Sequence, residues 1–176
     1  MRNASPWLLV VVLDAAGCTD GGGRTDRLND DAVWSASATV FELTVGPGGE
    51  DVEPPNSECH RGTASYRLDV TAMTLDSSTC VDDARYPTPY KLMTRSRAVT
   101  GDELDRLDSL LSDLKVTSEE YCVIDGAPVT LRVTTPSGTS EYADGSHQCY
   151  GGPLPFVDWR TLQDVHQALF DLANKI

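Results

Sequence analysis

Apolar and polar side chains alternate with a period of two in several stretches of the chain, and with a helical period in two others. Residues 33–45 (VWSASATVFELTV) are rich in β-branched and aromatic residues, and Phe41, Leu43 and Val45 alternate with polar neighbours, which predicts a first strand. Tyr66, Leu68 and Val70 alternate, Thr71 and Ala72 can turn, and Met73 and Leu75 alternate again, which predicts a hairpin folded about residues 71 and 72. A second hairpin is expected from Val129, Leu131 and Val133, with turn chemistry at Pro136, Ser137 and Gly138 and a return through Tyr142. Another strand is expected over 91–99.

The helical stretches carry their own start signals. Thr100-Gly101-Asp102-Glu103 is a capping box, in which the threonine hydroxyl accepts from the backbone near Glu103 and that carboxylate reaches back. Leu104, Leu107, Leu110, Leu111 and Leu114 then make one apolar stripe. Asp158 is the N-cap of a final helix with inward residues Leu162, Val165, Leu169, Phe170 and Ala173, and Phe156, two residues before the cap, is placed as a hydrophobic staple. The loop over 46–62, which opens with GPGGEDVEPPNSE, opposes regular structure and reads as an exposed, mobile excursion. Together these elements predict an α+β fold: an antiparallel sheet built from hairpins, with two amphipathic helices packed on one face. The chain has 176 residues, and the stretch 32–176 has the size of a single globular domain.

The N-terminus has a different pattern. Arg2 gives a positive start, residues 7–13 (WLLVVVL) give a seven-residue apolar run, and Ala15, Ala16 and Gly17 are small residues before a cleavage point. This is an export signal. A membrane-spanning helix needs about 20 apolar residues, and Asp14 interrupts the run long before that. The stretch Ala15-Ala16-Gly17-Cys18 resembles the lipobox of Gram-negative bacterial lipoproteins, whose cysteine carries diacylglycerol and becomes the first residue after cleavage. The resemblance implies a signal peptide over 1–17, a lipidated Cys18 with palmitate-type acyl chains, and a flexible tether through residue 31. Thr19 resembles the sorting signal for the outer membrane, facing either the periplasm or the cell surface. The family usually has leucine where this chain has Ala15, and Ala15 and Gly17 also suit ordinary signal-peptidase cleavage with free secretion. The resemblance covers only this leader, and the globular part resembles no characterised family.

Five cysteines are an odd number, and setting Cys18 aside leaves four, enough for two disulfides in an oxidising compartment. Folding the first hairpin about 71 and 72 brings Cys80 opposite residue 63, close to Cys59. Folding the second about Ser137 brings Cys149 opposite residue 125, close to Cys122. The expected pairs are therefore Cys59-Cys80 and Cys122-Cys149. A zinc site is the competing reading, disfavoured because no pair has C-x-x-C spacing.

The formal charge of −13 excludes nucleic acid and anionic lipid surfaces as partners and fits a solvated surface. His60 and His147 lie near half-cystines and, with Asp82, Asp83 or Asp144, could in principle form a general acid/base or metal cluster. No H-E-x-x-H, calcium-loop or G-x-S-x-G motif supports it. Asp82, Asp83 and the Asp144-Gly145-Ser146 turn are oxygen-rich enough for Ca²⁺, although short acidic turns are usually just solvated. The stretch Tyr86-Pro87-Thr88-Pro89-Tyr90 joins stiffening prolines to amphipathic rings, as recognition loops do, or else packs its tyrosines onto the sheet. The expectation is a monomeric, lipid-anchored envelope or surface protein, a non-enzymatic binding module with an unidentified protein partner and neither cofactor nor metal. The alternatives are a secreted protease-inhibitor-like module and a hydrolase or metal-dependent enzyme using His60, His147 and nearby aspartates.

Overall fold

The computed structural model describes residues 32–48, 53–82, 89–117, 127–144 and 154–175. Eight strands, β1 (Val40–Val45), β2 (Ala64–Asp69), β3 (Thr74–Val81), β4 (Lys91–Ala98), β5 (Val116–Thr117), β6 (Val129–Thr135), β7 (Gly138–Asp144) and β8 (Phe156–Val157), form one sheet in the order β4-β3-β2-β1-β6-β7-β8-β5. Helix α1 (Gly101–Ser112) follows β4, and α2 (Trp159–Asn174) follows β8. The fold is α+β, but the sheet is mixed: β7 and β8 run parallel, because the chain re-enters the sheet after β7 in the same direction.

The first hairpin has the register expected of it, with Ala64 opposite Thr79 and Leu68 opposite Leu75. The Cys80 N–H donates to the Thr63 carbonyl at 2.9 Å, and Cys80 is bonded to Cys59. Met73, expected to continue the apolar alternation, sits in the turn at φ 52° and is 37% exposed. The second hairpin pairs Thr135 with Gly138 and Leu131 with Tyr142, so it folds between Pro136 and Ser137 and not on Ser137. A two-residue connection needs less chain than the three turn-forming residues suggested.

The alternating side chains split cleanly between the two faces. Phe41, Leu43, Tyr66, Leu68, Leu75, Leu131 and Val133 point inward and join Leu107, Leu111, Leu162, Val165 and Leu169 of the helices in one core. Phe170, expected in that core, is 44% exposed. It lies one step round from Leu169 and Ala173, which already fill the inward stripe. Phe156 is half-buried in β8, and Val157, directly before the Asp158 cap, takes the buried position expected of it.

The helices run antiparallel, with the N-terminus of α1 beside the C-terminus of α2. The capping box of α1 is formed on both sides, Thr100 to Glu103 and Glu103 to Thr100. Glu103 also accepts from Arg97 Nη2 at 2.9 Å and from Lys175 Nζ at 2.8 Å. The Lys175 ammonium, then the Thr100 N–H and the Arg97 guanidinium, hold its carboxyl down at about 2. The last turn of α2 has no basic residue of its own; Arg97 and Arg95 of β4 reach the Leu172 and Ala173 carbonyls at 3.0 and 3.2 Å. Two cations from a neighbouring strand thus satisfy groups that a helix end leaves open.

The segment 53–62, expected to be a free excursion, is tied along its edge. The Glu58 N–H donates to the Tyr90 carbonyl at 2.9 Å, and its carboxylate accepts from the Leu92 N–H at 3.1 Å, which adds a short cover to the start of edge strand β4. Cys18 and the rest of the leader and tether, and the Cys122-Cys149 pair, lie outside the described residues.

Candidate functional site

Packing one face of the sheet under two helices leaves the other face to the residues at the alternate positions. Across five strands these form two transverse rows. In the first, Asp76, Arg67, Glu42, Arg132 and Glu141 stand opposite one another in successive strands, acidic and basic in strict alternation. Arg67 Nη1 meets Glu42 Oε1 at 2.5 Å, Arg132 Nη1 approaches Glu42 Oε2 at 3.8 Å, and Arg132 Nε donates to Glu141 at 2.9 Å. These pairs are solvent-exposed and add little stability. Their consequence is electrical: one face of a strongly acidic protein is nearly neutralised by its own side chains.

The second row, two residues further along each strand, is made of hydroxyls. Thr94, Ser78, Ser65, Thr44 and Thr130 lie side by side in β4, β3, β2, β1 and β6. At about 4.8 Å per strand the row is about 19 Å long, and it runs about 7 Å from the charged one. Among the described residues no side chain engages any of these five hydroxyls. The two rows line a trough of about 710 Å³, open to solvent, with Leu154 on its wall. That volume falls within the range of small-ligand sites, about 300–1,000 Å³.

The residues singled out by sequence lie elsewhere. Tyr90 is 7% exposed and its N–H donates to Ser57 Oγ at 3.0 Å, so its ring serves packing and offers no free contact area. Pro89 beside it is half-buried, and Tyr86 and Pro87 lie outside the described residues. His60 is exposed and pairs with Glu53, Asp82 is exposed, and Asp144 is buried at the end of β7. His147 and Asp83 lie outside the described residues. Among the described residues no three His, Cys, Asp or Glu side chains gather as metal ligands. No helix among them is long and apolar enough to cross a membrane.

On the core side, His166 packs against the Tyr66 ring with centroids 5.5 Å apart. Burial lowers the histidine's pKa and pushes the tyrosine hydroxyl up to about 12. The Tyr66 hydroxyl has no hydrogen-bond partner among the described residues.

The two rows escaped the sequence reading because they exist only once β1 lies between β2 and β6. The available signal was the run of charged and hydroxyl residues at the outward positions of each predicted strand. No protein-family model matches the chain, and no curated protein matches it.

Proposed function

We propose that this chain is an exported, lipid-anchored envelope protein that works as a non-enzymatic binding module, presenting the open face of its sheet to a ligand. In this reading Cys18 carries the lipid, residues 19–31 form the leash, and the domain is held at the outer membrane of a Gram-negative cell. The observation that carries the binding half is the trough: among the described residues, five unengaged hydroxyls stand beside a charge row that pairs with itself, on a face that neither helix covers. A surface that only needs solubility has no use for so regular a pattern, and the acidic residues of the helices already provide solubility. The Cys59–Cys80 disulfide is compatible with an oxidising compartment outside the cytoplasm.

The test uses the protein expressed in a Gram-negative host. Its intact mass is expected to correspond to a chain starting at Cys18 plus acyl groups; cleavage without added mass removes the anchor from the proposal. The purified protein is then sedimented with detergent-washed envelope material. Thr44→Lys, which places a long side chain in the middle of the trough, is expected to leave the protein folded and unbound. Equal sedimentation of variant and wild type refutes the trough as the binding surface.

A further inference from the structure

We infer that the ligand of the trough is an uncharged, hydroxyl-rich glycan strand lying across the sheet along the row from Thr94 to Thr130; this rests on the trough being the binding surface. Three features narrow the ligand. The first is charge. A polyanion meets a chain of net charge −13 whose three trough arginines are already engaged, Arg67 by Glu42, Arg132 by Glu141, and Arg95 by Asn174 Oδ1 and the Ala173 carbonyl. A polycation finds Glu42 shared between two guanidiniums and Glu141 paired with Arg132, which leaves Asp76 as the single trough carboxylate with no ion pair among the described residues. Neither sign of ligand gains what an unpaired array would give it, whereas a neutral one pays no penalty.

The second feature is polarity. Among the described residues the exposed large apolar side chains, Met73, Leu92, Met93, Trp159 and Phe170, all lie outside the trough. An apolar peptide or an acyl chain therefore has nothing to bury there. Leu154 supplies one limited apolar patch, enough for the C–H face of a sugar ring.

The third is the donor and acceptor pattern. A serine or threonine hydroxyl both donates and accepts, as a sugar hydroxyl does, so a row of five can adapt to the alternating needs of a polyol. The neighbouring row adds the N–H groups and carboxylate lone pairs that its ion pairs leave over, since a guanidinium has five donors and a carboxylate about four acceptor sites, and these suit the hydroxyls of a sugar ring. The hydroxyl row repeats at the strand spacing, and each ring of an extended β-linked glycan advances the strand by a similar step. Successive rings would thus meet successive strands, and the charged row about 7 Å away would meet the far edge of each ring.

The full chain, purified in detergent, is titrated with the uncharged hexamers of N-acetylglucosamine and of β-1,4-glucose, and with a galacturonate hexamer that carries a carboxylate on every ring. One uncharged hexamer is expected to move the amide resonances of Thr44, Ser65, Ser78 and Thr130, with a Kd on the order of 1 mM or tighter. Thr44→Val combined with Thr130→Val keeps the β-branched shape, removes two hydroxyls, and is expected to weaken binding about tenfold at an unchanged Tm. Should that variant fail to fold, Ser65→Ala with Ser78→Ala makes the same test. The inference is overturned if neither uncharged hexamer binds, if the galacturonate binds better, if the shifts map away from the trough, or if the hydroxyl variants bind as well as wild type. Envelope binding that is lost in Thr44→Lys while no hexamer binds overturns the glycan alone. Envelope binding unaffected by Thr44→Lys overturns the binding surface itself.

Discussion

Glu103→Gln removes one charge from the place where strand β4 and both helices meet. The carboxylate there accepts from Lys175, Thr100 and Arg97, and the side chain is only 10% exposed. Its pKa is lowered from 4.5 to about 2, and at about 1.4 kcal/mol per pH unit this corresponds to about 3 kcal/mol of stability at neutral pH. Lys175 is 62% exposed, and screening trims its share, which brings the expected loss for Glu103→Gln to about 2 kcal/mol. The sign with pH follows from the lowered value. The contribution is fully present above pH 4.5 and is lost as pH falls toward about 2. Urea unfolding of wild type and variant, with disulfides intact, measures this across a series from about pH 7 to pH 2.5. Other carboxylates titrate alike in both proteins and cancel in the difference, which is expected to narrow steadily below pH 4.5. A difference under about 0.5 kcal/mol at pH 7, or one that does not change with pH, refutes a charge-based role and leaves only a neutral helix cap.

Two further outcomes test separate parts of the core. Replacing both Cys59 and Cys80 by alanine opens a loop closed across 21 residues and is expected to cost about 3 kcal/mol, measured by urea unfolding under non-reducing conditions. A loss below about 1 kcal/mol would mean that the ties from Glu58 to Tyr90 and Leu92 already hold this loop without the bond. Tyr66→Phe removes a buried hydroxyl that has no partner among the described residues, so thermal unfolding is expected to show equal or higher stability, by about 1 kcal/mol. A loss of that size instead would reveal a hydrogen bond to the hydroxyl.

Local signals in the sequence carried much of the fold. The register of the first hairpin follows from where Tyr66, Leu68 and Leu75 must point, and the cap of α1 from Thr100 and Glu103, because both depend on residues only a few positions apart. The parallel β7 and β8 contact was invisible for the opposite reason. Phe156 and Val157 form a two-residue strand, too short for any period, held in place by distant partners. Phe170 misled because a helix stripe broad enough to include it is wider than the surface it covers. The trough depends on strand order. Glu42 sits beside both Arg67 and Arg132 only because β1 is central, and alternation along one strand carries no information about its neighbours.

The central place of β1 also has a kinetic meaning. One of its edges pairs with the meander through β2, β3 and β4, whose contacts are much shorter in sequence than those with β6. The other edge waits for β6, on the far side of α1 in the chain, so that Leu43 stands unpaired until Leu131 arrives. A half-made sheet with an open apolar strand at its rim is the species most exposed to wrong pairing. Loop-closure entropy makes the pairing of the β6-β7 hairpin with that rim the step expected to come last, and the hydroxyl row is completed with it.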